Sequence, residues 1–239
     1  MRVSLLSRAF PPSTGGIESS SAMLARMWLQ AGHEVVVVTA VPGPETYEGA
    51  RVVRQWSSAS LAGAARWADV SVANGYSRAA VIAAQLMGKP IAILHQGYQL
   101  ISSDGLGFRG RQFHDFAFRN DLALAWHESP RVALKAFANR IFDEFIRRAG
   151  RRVLHVVPSR HVCRRLRLRD AVVMYQPCNP EVIDALDAEP PSPAERGAAY
   201  RHGPVRFFGR LVFEKGVDDL INAFADIAPE EWGGQTAGQ

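Results

Sequence analysis

The chain has 239 residues, 47% of them apolar and 21% charged, and carries a net charge of +5. That much apolar matter excludes a globally disordered chain and a disulfide-stapled miniprotein, and the length predicts one large domain or one plus part of another. No run reaches the ~18 uninterrupted apolar residues of a membrane-spanning helix.

The opening segment, Met1 to Arg8, is charged at both ends of a short apolar run and reads as a first strand rather than a secretion signal. Short β-branched runs then alternate with amphipathic stretches, which predicts βαβ units and a parallel sheet. Strands are expected at residues 2–6, 34–39, 70–73, 91–94, 122–126 and 153–157. A helix over Gly16–Gln30 places Ile17, Leu24, Met27, Trp28 and Ala31 on one face, with Gly32 as its breaker. Residues 77–87 read as a second helix, ended by Gly88-Lys89-Pro90. Ser129-Pro130 opens a long helix whose Leu134, Phe137, Ile141, Phe142, Phe145 and Ile146 form the expected buried stripe. Pro158-Ser159 then leads from a strand into another helix.

Composition shifts over residues 187–204, where Pro190-Pro191-Ser192-Pro193 and Gly203-Pro204 read as a linker. The expected domains are therefore 1–186 and an incomplete second unit over 205–239. In that second unit residues 205–208 read as a strand, and Val217, Leu220, Ile221, Phe224 and Ile227 as one helix face.

Two segments carry chemistry. Pro11-Pro12-Ser13-Thr14-Gly15-Gly16-Ile17-Glu18 lies between the first strand and the first helix. A glycine pair there lets the backbone come close to a ligand, while free N–H groups at the helix start favour an anion. The alternative is a tight turn with Glu18 complementing the helix dipole. The Gly-x-Gly-x-x-Gly spacing of dinucleotide sites is absent, which argues against NAD or FAD. The second segment, Phe208-Gly209-Arg210-Leu211-Val212-Phe213-Glu214-Lys215-Gly216, joins a strand to a helix. Its arginine can hold two phosphate oxygens and its lysine adds a compact charge, unless both are simply solvated. His95 sits just past the end of a predicted strand, where open α/β sheets place ligands, or serves as a hydrogen-bonded structural residue. His127-Glu128 lacks the second histidine of a zinc motif, and Cys163 and Cys178 lack metal-ligand spacing and fit a reducing compartment. No metal site is expected.

These residues together resemble a known family, the retaining GT-B-fold glycosyltransferases of family 4. The pattern comprises Pro12-Ser13-Thr14-Gly15-Gly16-Ile17-Glu18, then Gly32-His33-Glu34-Val35, then Pro158-Ser159, and finally Gly209-Arg210-Leu211 with Lys215-Gly216-Val217. The resemblance covers most of residues 1–228 and is weakest at 46–70 and 108–121. It implies an α/β, Rossmann-like parallel sheet flanked by helices, facing a second Rossmann-like domain across a cleft. The first domain would hold the acceptor and the second a nucleotide-diphosphate sugar. By the same likeness Arg210 and Lys215 match the pair that grips the donor diphosphate, and Gly15 and Gly16 match the glycine loop beside it. His95 would contact the transferred sugar or the acceptor as the candidate catalytic residue. The sugar nucleotide is a substrate, so no cofactor is implied, and positive side chains take the place of a cation.

The family's acidic Glu-x7-Glu motif and its base and ribose pocket have no counterpart in this sequence, which is therefore expected to be a truncated form. A non-catalytic remnant or interaction module is the alternative. The stretch from Arg131 to Arg169 is dense in basic residues, and its acids are only Asp143 and Glu144. Such a block suits an anionic partner. In the family reading it is an anionic membrane surface met by Arg147, Arg148, Arg151 and Arg152, with a glycan or lipid-linked acceptor. That places the protein in the cytoplasm or on the inner membrane face. A solvated face is the plainer reading of the arginines, and a nucleic-acid partner is the remaining one, without a helix-turn-helix, zinc or aromatic-basic signature to support it.

Overall fold

The computed structural model describes residues 1–102, 105–109, 112–113, 116–148, 152–175, 192, 207 and 215–227. The chain divides into two compact units, Met1–Pro180 and Glu181–Gln239. The linker expected over 187–204 and the strand expected over 205–208 lie outside the described residues, apart from Ser192 and Phe207.

The first unit opens with β1 (Arg2–Leu6), α1 (Gly16–Gln30), β2 (Glu34–Val38), β3 (Thr46–Tyr47), β4 (Ala50–Val53) and α2 (Ser58–Trp67). It continues through β5 (Val70–Asn74), α3 (Arg78–Leu86), β6 (Ile91–Leu94), β7 (Phe108–Arg109) and β8 (Gln112–Phe113). The helices α4 (Phe118–Glu128) and α5 (Pro130–Arg148) precede β9 (Val153–Val157), α6 (Arg160–Leu166) and β10 (Val172–Val173). In the second unit the described helix is α7 (Val217–Ile227).

Eight strands form one sheet in the order β10-β9-β6-β5-β1-β2-β4-β3. Val3 of β1 lies opposite Val35 on one side and Val70 on the other, both in parallel. The sheet is parallel except at its margin, where β3 folds back antiparallel on β4. This mixed sheet with flanking helices is an α/β, Rossmann-like fold. Successive residues of a strand point to opposite faces. Leu6 and Val38 accordingly join one core cluster with Leu61, Val81, Ile93 and Leu166, whereas Leu5 and Val37 join another with Phe10, Ala25 and Val52. Burial on both faces is why these strands read as continuous apolar runs.

Three sequence expectations are corrected. Residues 122–126, expected as a strand, lie inside α4. The stretch Leu122-Ala123-Leu124-Ala125-Trp126 holds no β-branched residue, and Ala125 packs with Ala133 and Ala136 of α5. In α1 the buried residues are Ser20, Ser21, Ala22 and Ala25, while Met27 is exposed. Small side chains let this helix lie close to the sheet. In α5 the buried residues are Ala133, Ala136, Asp143 and Ile146. The stripe expected inside is largely outside, with Leu134 70% and Phe145 67% exposed and Phe137 and Ile141 exposed beside them. Among the described residues no helix is long and apolar enough to cross a membrane.

Candidate functional site

The order of strands fixes where a ligand crevice belongs. From β1 the chain crosses to β2 on one side, and it later returns to β5 on the other. Beyond the carboxyl ends of β1 and β5 the flanking connections diverge, and open α/β sheets bind ligands in that gap. The segment leaving β1 is firmly anchored. Ser7 donates its amide to the Val38 carbonyl at 3.0 Å, and Phe10 is fully buried against Tyr47. The Arg54 guanidinium donates to the carbonyls of Pro11, Val41 and Pro44.

That anchored loop delivers Gly15 and Gly16 to the start of α1. Gly15 has φ 157°, and a Cβ there would lie 2.5 Å from an oxygen of Glu18. Around a Cβ at Gly16 there is nothing within 4 Å, so the helix opens onto free space. A helix leaves its first amides without partners inside the helix. In α2, α3 and α6 a serine side chain, from Ser57, Ser77 and Ser159, accepts from one of these amides. Gly15 caps α1 with no side-chain hydrogen bond. The first turn of α1 thus starts without a serine cap, with the Glu18 carboxylate folded back beside Gly15.

Beneath this turn a polar network ties α1 to the ends of β5 and β6. The Asn74 amide donates to Ser20 Oγ at 3.0 Å and Ser21 Oγ at 2.8 Å. Ser21 donates in turn to Ser7 Oγ at 2.9 Å, and Gln96 donates to Asn74 Oδ1 at 2.7 Å. A small cavity of about 30 Å³ lies among Ser20, Leu24, Asn74, His95, Gln96 and Met174. His95, only 1% exposed, borders it, and its Nε2 lies 3.0 Å from Nδ1 of His155. Burial, together with the neighbouring His155, pushes the His95 imidazole down to about 3. Burial also lowers His155. The rings of Tyr76 and His95 stack at 6.3 Å.

Tyr76 belongs to a second buried group. Its hydroxyl donates to Asp143 Oδ1 at 2.6 Å, and Arg78 grips both oxygens of Asp143 at 2.6 and 2.5 Å. The loss of water, together with the neighbouring Asp143 carboxylate, holds the Tyr76 phenol well above its ordinary value. This cluster fastens α3 to α5 directly behind the histidine pair.

The sequence-derived site residues therefore divide. Gly15, Gly16 and His95 all lie at the carboxyl end of the sheet of the first unit. Lys215 is exposed in the turn that opens α7, next to Gly216 with φ 67°. Arg210 lies outside the described residues. Asn74, Gln96, Ser20, Ser21 and His155 were not singled out from sequence. Asn74 is the one polar residue closing an otherwise small and apolar strand end, and that was the available signal. No three His, Cys, Asp or Glu side chains gather as metal ligands among the described residues.

The fold and site thus define an α/β protein whose first helix starts, without a side-chain cap, at the switch point of its sheet. No protein-family model matches the chain, and none of the curated proteins matches it. Similar solved structures include the NAD-dependent NDP-hexosamine 5,6-dehydratase TunA of tunicamycin biosynthesis. It is 14% identical, at a TM-score of 0.34, over 65% of this chain and 54% of that one. The spinosyn forosaminyltransferase SpnP is 17% identical, at 0.29, over 59% and 39%. A mutated uronate dehydrogenase is 12% identical, at 0.38, over 95% and 98%. Likeness at these scores carries no argument of its own, and the fold assignment rests on the strand order.

Proposed function

We propose that the chain serves glycosyl transfer from a nucleotide-diphosphate sugar, as a retaining GT-B enzyme of the family 4 type. The first unit would be the acceptor side, and residues 205–239 would open the donor side. The observation that supports this most is the Gly15–Gly16 turn, open to solvent above Gly16 and leading into uncapped amides at the switch point of the sheet. In this reading those amides, Arg210 and Lys215 stabilise the negative charge that develops as the C–O bond to the leaving diphosphate breaks. The acceptor hydroxyl forms the new bond on the same face of the sugar and gives its proton to the departing phosphate. Replacing Arg210 with alanine should weaken nucleoside diphosphate affinity or the transfer rate at least ~10-fold, about 1.4 kcal/mol. Calorimetric titration with UDP, GDP and ADP, and release of each from its sugar nucleotide, measures this. Unchanged values would remove Arg210 from the site, and no binding of any diphosphate would favour a non-catalytic interaction module.

For the acceptor side we read the outer face of α5 as a contact with anionic lipid. Leu134, Phe137, Ile141 and Phe145 are exposed there, and Arg147 and Arg148 end the helix. An apolar helix face flanked by arginines suits an interface of that kind. Fully burying such a side chain contributes about 1.5–3 kcal/mol. Converting Ile141 and Phe145 to serine should therefore lower partitioning onto phosphatidylglycerol vesicles at least ~10-fold. Equal partitioning of variant and parent would leave the stripe without a lipid partner.

A further inference from the structure

Interior strands of a parallel sheet are normally covered on both faces. Lateral pairing sets Leu5, Val72, Ala92 and Leu154 in one row on one face, across β1, β5, β6 and β9. Leu5 and Val72 are buried, whereas Leu154 is exposed, so the cover over this face ends before β9. Ala92 and Leu154 line a groove of about 660 Å³ at the amino ends of β6 and β9. That is the opposite end of the strands from the Gly15–Gly16 turn.

Five arginines line the same groove. Arg147 and Arg148 come from the end of α5, Arg152 from just before β9, and Arg167 and Arg169 from the connection between α6 and β10. Asp170 is the single carboxylate among the described lining residues. Glu144 is shared by two of the arginines: Arg147 donates to both of its oxygens, and Arg148 Nη2 lies 2.8 Å from Oε1. Arg152 meets a neutral acceptor, the Gly88 carbonyl, at 3.3 Å. Positive charge therefore exceeds negative here, and like charges held together repel. The cluster is nevertheless fixed in place. Arg147 Nη1 donates to the Arg167 carbonyl at 2.9 Å, and Arg167 closes α6 in the left-handed conformation, with φ 55°. Glycine usually takes that cap position, and here it carries a guanidinium to the groove.

We infer that this groove binds a compact anion bearing several phosphate groups, either a free compound or a lipid headgroup, through Arg152, Arg167 and Arg169. A guanidinium fork holds two phosphate oxygens at once, and a concave site of this size suits a small ligand better than a single ion. The inference does not rest on the glycosyl-transfer reading.

The test is calorimetric titration of the full chain with inorganic tripolyphosphate and, at matched ionic strength, with sulfate. Tripolyphosphate should bind saturably, and sulfate at least ~10-fold more weakly because it offers one anionic centre to several guanidiniums. Combining Arg152→Gln with Arg169→Gln should lower tripolyphosphate affinity at least ~10-fold through lost charge-assisted hydrogen bonds. Both side chains are exposed, so the melting temperature should hold or rise as repulsion is relieved. If the double variant does not fold, Arg169→Gln alone decides. Arg131→Gln with Lys135→Gln removes the same charge from exposed positions near the start of α5 and should leave the affinity unchanged. Sedimentation with phosphatidylcholine vesicles, with and without cardiolipin, separates the two sources. Cardiolipin-dependent binding that the Arg152 and Arg169 changes abolish assigns the phosphates to lipid. Tripolyphosphate binding without it assigns them to a free compound. The inference is overturned if neither probe binds, if the double variant binds both as the parent does, or if a single-stranded oligonucleotide binds and tripolyphosphate does not. Tripolyphosphate binding lost in Gly16→Val and kept in the arginine variant would also overturn it, by placing the anion at α1. Nucleoside diphosphates that fail to reach α1 would count against the proposed function alone.

Discussion

Gly16→Val should leave the fold intact and cut nucleoside diphosphate affinity at least ~10-fold, or about 1.4 kcal/mol. The first half of that expectation follows from the empty space around the Gly16 Cβ position, where a side chain meets nothing within 4 Å. The second half follows from where that space lies. An isopropyl group would stand in front of the amides that open α1, holding a phosphate away from them. Gly15 provides the contrast. There φ is 157° and a Cβ would meet the Glu18 carboxylate at 2.5 Å, so a side chain disturbs the turn itself. Gly15→Val should accordingly lower both melting temperature and affinity, while Gly16→Val lowers affinity alone. Titration calorimetry beside a thermal melt separates the two. Equal affinity of Gly16→Val and the parent would mean that the phosphate does not approach there.

The largest loss of stability is expected from Asp143→Ala. The Asp143 side chain is 4% exposed and that of Arg78 is 29% exposed, and Tyr76 adds a third member to the pair. Removing one partner of a buried ion pair costs about 3–5 kcal/mol, because the other charge is left without compensation. Arg78 keeps some contact with water, which favours the lower end, about 3 kcal/mol. For a domain of this size that corresponds to a fall in melting temperature of roughly 6–12 °C. The exposed Arg26–Glu48 pair also has two hydrogen bonds, both at 2.7 Å, yet Glu48→Ala should leave the melting temperature unmoved. Solvent screens that pair and not the buried one. A small effect of Asp143→Ala would show that α3 and α5 hold together without the cluster.

The parallel strands were legible because burial on both faces writes them as unbroken Val, Leu and Ile. The bounds of α1 were legible too, from the glycine pair before it and Gly32 after it. Which face of a helix goes inward was less so. Amphipathic reasoning sends large apolar residues to the core, but α1 turns Ser20, Ser21, Ala22 and Ala25 inward. The hydroxyls are needed under Asn74, and the alanines allow close approach to the sheet. In α5 the same logic buries alanines and Asp143 and leaves Phe145 outside. The helix α2 escaped notice because its buried residues are Leu61, Ala64 and Ala65, too small a set to mark a period. Gly15, Gly16 and His95 stood out as residues next to strand ends. Their supports did not, since Asn74 and Ser20 are 54 residues apart in sequence and His95 and His155 are 60 apart. Only the register of β6 against β9 brings that second pair together.

The central claim is that the start of α1 takes the diphosphate of a sugar nucleotide. The most direct measurement is a titration of the nitrogen-15-labelled chain with nucleoside diphosphates, followed through the backbone amides. Saturable shifts of Gly15, Gly16 and Ile17, absent in Gly16→Val, are the predicted result. Shifts confined to the arginine surface of α5 and α6, with those three amides unmoved at saturation, would contradict it.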